Sequence, residues 1–164
     1  MPLPDELLEL AKHLANLDQE KHEQASLRRA ISTAYYALFH LLVSETTLNW
    51  SRLETRSALG RLFEHGKMKR VCEKTVSDLN KMFNERPQDS PELTIPKHLR
   101  TIAKAFVLAY QERNDADYEV SKEWSRTDVL SLVDTVSDAF KSWEAIKHEP
   151  AAQGFLFSLL AKDR

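Results

Sequence analysis

Proline and glycine are so few in this chain, and so placed, that helices are the one regular structure it readily forms. The six prolines stand at positions 2, 4, 87, 91, 96 and 150 and the three glycines at 60, 66 and 154. Long stretches therefore lack the residues that end helices or bend strands. Within them apolar residues recur three and four positions apart, and no segment alternates as a half-buried strand would. The chain reads as all-α. Its 164 residues suffice for a single domain, 1–164, with a sizeable core.

A first helix is expected from about Asp5 to Leu17, burying Leu7, Leu10, Ala11 and Leu14, with acidic residues in its first turn. A longer second helix runs from about Glu20 to Ser44. Leu27, Ile31, Ala34, Leu38 and Leu41 form one stripe on it and Tyr35, Phe39 and Leu42 another. Its middle is thus apolar nearly all round, which makes it the central helix with neighbours on two sides. Two shorter helices over 52–64 and 68–84 break at Glu64-His65-Gly66, and Glu85 to Pro96 reads as a loop. A helix from Lys97 to about Asn114 follows. Ser125-Arg-Thr-Asp128 has the form of a capping box and opens a helix carrying Val129, Leu132, Val133, Val136, Phe140, Trp143 and Ile146, stopped by Pro150. The short apolar segment Phe155 to Leu160 fits a cover over the bundle or over a partner subunit.

The single cysteine, Cys72, excludes an intramolecular disulfide and a cysteine-rich zinc site, and it favours a reducing compartment. The N-terminus lacks the basic start and apolar run of a secretory signal, and the longest apolar run, Ala34 to Val43, is too short for a bilayer. The expected location is the cytoplasm, with no membrane contact. Net charge is −2, which gives no global attraction to nucleic acid, although residues 52–86 hold nine Lys/Arg against five Asp/Glu.

One cluster departs from the pattern. Leu99, Ile102, Ala103, Phe106, Ala109 and Tyr110 share a helical face, and Arg113 then Asp117 continue that line where more core is expected. A guanidinium there must be desolvated or must face a groove, and either arrangement calls for an acidic, polar or phosphate partner. Two readings stay open. Arg113 anchors the bundle end through Asp117 at i+4, or the Arg113, Asp117, Tyr118 group is an active or ligand-binding site.

The block Ser26-Leu-Arg-Arg-Ala-Ile-Ser-Thr-Ala-Tyr-Tyr-Ala-Leu-Phe-His40, with Arg113-Asn-Asp-Ala-Asp-Tyr118 some way downstream, resembles the HEPN superfamily of prokaryotic defence and toxin systems. Within it the chain is most similar to a subgroup with an Arg-x-x-Ala-Asp-Tyr block. The resemblance covers about 5–148, leaving a C-terminal helical extension over 150–162. It implies an up-and-down helical bundle, usually a homodimer, in which the arginine-bearing helices line a shared groove. It also implies a partner protein, such as a small nucleotidyltransferase, or RNA in that groove. Nuclease members carry Arg with a polar residue and a His beyond a spacer of four to six residues, and cut RNA without metal. In that chemistry His takes the 2′-hydroxyl proton and Arg steadies the phosphate. Arg113 and Asn114 match the start of the motif, and Tyr118 stands where His would be. A phenol with an ordinary pKa near ~10 is a poor base at neutral pH, but it can orient a phosphate.

Two functions follow as expectations. One is a homodimeric binding and regulatory protein of a toxin–antitoxin or defence system; the other is a metal-independent endoribonuclease using Arg113 with Asn114 and Tyr118. His40, one turn after Tyr36, reads as a core or interface histidine, or else as a base brought to Arg113 by the fold. Of Arg28 and Arg29 one should face out and pair with an acid, and Arg29 is the candidate phosphate contact. Tyr35, Tyr36 and Phe39 read as core, with one tyrosine at a dimer interface. His65-Gly-Lys-Met-Lys-Arg70 reads as a basic turn. Trp143 should be packed and Trp124 should staple the loop before the capping box. Glu144 and His148 make too small a donor set for a metal, and none is expected.

Overall fold

The structure, a computed structural model, describes residues 1–17 and 23–161. Among them are seven α-helices and no strand: α1 (Leu3–Asn16), α2 (Gln24–Leu48), α3 (Arg56–Gly60), α4 (His65–Asn84), α5 (Thr94–Tyr118), α6 (Arg126–Ile146) and α7 (Pro150–Leu160). Single 3-10 turns at Leu53–Thr55 and Pro91–Leu93 lead into α3 and α5. The result is the all-α bundle that the breaker pattern requires. None of these helices is long and apolar enough to cross a membrane.

α2 is the central helix. It packs on α1, α5 and α6, and it also receives α3 and α7, one more long neighbour than its two stripes suggest. That explains why Ile31, Ala34, Tyr35, Leu38 and Leu42 are all sealed from solvent. The N-terminus of α2 is at Gln24; the expected start at Glu20 lies outside the described residues. At its other end the helix passes Ser44 to Leu48, where Thr46 is buried and its Oγ1 donates to the Leu42 carbonyl at 2.7 Å.

α1 presents Pro4, Leu8, Ala11 and Ala15 to the core, while Leu10 is exposed and Leu7 and Leu14 are half-buried. The expected face was rotated because two adjacent leucines, Leu7 and Leu8, let the apolar arc be drawn on either side. The expected break at Glu64-His65-Gly66 moves forward. Glu64 is extended and α4 begins at His65, since Phe63, Met68 and Cys72 are buried and fix the helix start against the core. The loop of 85–96 is shorter than expected, for Leu93 is fully buried and Pro96 sits in the first turn of α5. A missing N–H is harmless there, because first-turn N–H groups have no intrahelical acceptor.

The capping box forms as the sequence spells it: Ser125 Oγ accepts from the Asp128 N–H at 3.1 Å, and the Ser125 N–H donates to Asp128 Oδ2 at 3.3 Å. Replacing Ser125 by Ala should lower stability by about 1 kcal/mol, read as a fall of about 3 °C in thermal melting; an unchanged Tm would show the cap to be idle. All of the expected α6 face is buried except Phe140, which is half-buried. α7 covers the bundle, burying Phe155, Leu156 and Leu159 on α2 and α4, and Lys67 Nζ donates to the Leu160 carbonyl at 3.2 Å. Position 162, the expected end of this extension, lies outside the described residues.

Candidate functional site

α5 runs on to Tyr118, four residues beyond the expected end, so the whole charged cluster is helical. Positions 113 and 117 are one turn apart and share the face turned toward α2. Arg113 Nε lies 2.9 Å from Asp117 Oδ2, an ionic contact whose N–H is not aimed along a hydrogen bond. Arg113 Nη2 donates to the Tyr36 hydroxyl at 2.9 Å and Nη1 to Asn114 Oδ1 at 3.4 Å. The guanidinium carbon stands 5.7 Å from the centre of the Tyr35 ring and 5.3 Å from that of Tyr36, within the reach of cation–π attraction. Asp117 in turn accepts from Ser32 Oγ at 2.6 Å. Four expected site residues, Tyr36, Arg113, Asn114 and Asp117, are thus assembled, and Ser32 joins them from α2. The Arg113 side chain keeps 17% of its surface and Asp117 32%, so the pair is partly open to water.

Tyr118 is placed apart. Five residues along a helix turn the side chain about 140° away from Arg113, and Tyr118 is 75% exposed with no hydrogen bond among the described residues. Its expected role beside Arg113 has no geometric support. Arg29 is exposed and lines a shallow groove with Ala25, Ser32, Ala116 and Asp117, next to the cluster. The acidic partner expected for one of the two arginines is not found among the described residues. Arg28 instead bridges helices: it donates to the carbonyls of Ala116 at 2.9 Å, Glu119 at 3.0 Å, Val120 at 3.1 Å and Lys122 at 2.5 Å. It also lies 5.0 Å above the Trp124 ring. This cation at the C-terminus of α5 takes up carbonyls that helix geometry leaves free.

A second histidine stands here that the sequence pattern had assigned to a turn. His65, the first residue of α4, stacks on Phe39 with ring centres 4.2 Å apart, and its Nδ1 is 2.6 Å from the Tyr35 hydroxyl. It lies 6.0 Å, edge to face, from Tyr36, the ring over which Arg113 sits. His40 also neighbours Tyr36, with 6.2 Å between ring centres, and both histidines lie against Phe39. His40 is half-buried, sealed neither in the core nor by a hydrogen bond among the described residues. Burial lowers the pKa of His40. It also lowers that of His65, with the charges of Arg113 and His40 acting in the same direction. Burial raises that of the Tyr35 phenol, so it stays protonated.

A pH dependence follows. Histidines whose folded pKa is depressed stabilise the fold fully above their unfolded value of about 6.5, and that contribution is lost as pH falls through the folded values. Thermal melting should therefore drop between about pH 7 and pH 5, and His40→Gln/His65→Gln should flatten the curve in that window; equal slopes for both proteins would contradict it.

The basic run after His65 is partly structural. Lys67 closes α7, and Lys69 pairs with Glu73 at 3.2 Å and approaches the Tyr110 ring at 5.6 Å. Trp124 is tied down as expected of a staple, with Gln24 bonded to its backbone at both ends and its Nε1 donating to Glu112 at 2.8 Å. Trp143 is packed. Cys72 is buried, which raises its thiol pKa and leaves it unreactive. The described residues contain no group of three or more side chains able to hold a metal. No family model, no curated protein and no solved structure matches this chain.

Proposed function

We propose that this chain is a binding and regulatory protein of the HEPN type, from a prokaryotic toxin–antitoxin or defence system. It works as a homodimer that engages a partner protein, such as a nucleotidyltransferase, or RNA in the groove between its subunits. The observation that carries this reading is the state of Arg113. Its charge is balanced by Asp117, its outer nitrogens are taken by Tyr36 and Asn114, and the residue at the motif-histidine position points away. An arginine so held can recognise a ligand, but α5 offers no base beside it.

The test is incubation of the purified protein with single-stranded RNA in EDTA across neutral pH, alongside sedimentation. An intact RNA and a dimer are expected. Sedimentation as a monomer at working concentration would remove the shared groove. The second reading, a metal-independent endoribonuclease, draws on His65 and His40 standing near the arginine. Cleavage that Arg113→Ala abolishes while the fold survives would establish it and end the pure binding reading.

A further inference from the structure

The Tyr35 ring is fully buried, and its phenol has one hydrogen-bond partner among the described residues, His65 Nδ1. A buried hydroxyl proton left without an acceptor is costly. The proton therefore lies on the line to Nδ1: Tyr35 donates, Nδ1 accepts, and the neutral imidazole carries its own proton on Nε2. That nitrogen has no partner among the described residues, and it is not fully sealed in the half-buried residue. The ring cannot swing, because Phe39 stacks on it and Tyr35 holds its inner edge.

The neighbouring groups present the same polarity. Tyr36 accepts from Arg113 through its oxygen, so its own O–H remains to be donated, and no acceptor for it is found among the described residues. His40, half-buried and without a hydrogen bond among the described residues, flanks Tyr36. The Arg113 guanidinium, paired with Asp117, stands beside Tyr36. A face of N–H and O–H donors beside a guanidinium that shares its charge with Asp117 suits a ligand with several acceptor oxygens.

We propose that His65 is a ligand-binding residue of this face, held by Tyr35 as a neutral imidazole whose Nε2–H donates to an oxygen of a phosphate group lying beside Arg113. Tyr35 is then a positioning residue, and α4 supplies the histidine that α5 lacks. The proposal rests on the groove reading above and names the ligand chemistry of that groove.

Imidazole NMR on the isotope-labelled full chain tests it. At neutral pH the His65 ring is expected as the Nε2–H tautomer, and Tyr35→Phe, which keeps the ring and removes the hydroxyl, should return it to a mixture. Millimolar inorganic phosphate should shift the His65 signals, and Arg113→Ala should weaken that binding about tenfold or more. A single-stranded RNA oligonucleotide titrated in parallel identifies the source of the phosphate. A response at far lower concentration than phosphate assigns the site to an RNA backbone, and a response to phosphate alone assigns it to a small ligand. An Nδ1–H tautomer, or His65 signals unmoved by both probes, overturns the proposal. If RNA or a partner binds and is weakened by Arg113→Ala but not by His65→Gln, the groove stands and this inference falls. If neither substitution matters, both fall.

Discussion

Arg28→Ala is expected to melt about 10 °C below the wild-type protein, a loss of about 3 kcal/mol. The guanidinium holds the end of α5 by four carbonyls, at positions 116, 119, 120 and 122. Glu119 and Val120 are exposed and water can replace the arginine there, whereas Ala116 is buried, and its carbonyl would be left without that donor. The stem and ring stacking on Trp124 are lost as well. The four bonds share one group and are not additive, so the estimate stays near that of one or two buried charge-assisted bonds. Arg28→Lys should recover less than half of the loss, because an ammonium cannot span the carbonyls that the fork reaches. Thermal melting followed by circular dichroism checks this; a shift within about 2 °C for Arg28→Ala would show that solvent satisfies the helix end without help.

Arg113→Ala and Asp117→Ala should each cost about 1–2 kcal/mol, and the double variant little more than either, so that a double-mutant cycle yields a clear coupling. A fully buried pair broken on one side would cost more. Here a third of Asp117 remains in water, and screening reduces the penalty of leaving it alone. The two substitutions separate in binding. On the proposed function, Arg113→Ala removes the cation that meets the ligand, and affinity for partner or RNA should fall about 100-fold. Asp117→Ala releases the same guanidinium from its carboxylate and should leave affinity for an anion equal or higher. A fall of similar size in both would mean that the pair acts only as a structural anchor.

Much of the fold was legible because it rests on local spacing. The stripes of α2 and α6 depend on side chains three and four positions apart, and the capping box depends on Ser125 and Asp128 alone. The errors fall where local spacing is degenerate. Leu7, Leu8 and Leu10 permit two inward faces for α1, and His65-Gly66 fits a turn as well as the first turn of a helix. The Arg113–Asp117 contact was legible for the same reason as the stripes, since i and i+4 meet on any helix.

The contacts that give the site its character are of another kind. Arg28 meets the end of α5 across a separation of 88 residues at its nearest carbonyl, Tyr36 meets Arg113 across 77, and Tyr35 meets His65 across 30. The amino-acid order by itself determined that this chain is all helical, where most helices lie, and that Arg113 needs a polar partner. Only the packing of α2 against α5, with the first residue of α4 set against Tyr35 and Phe39, decided which partner it has and that the histidine near it comes from another helix. Periodicity sets which face of a helix is buried, but the rotation and register of one helix against the next are fixed by the packing of the whole core.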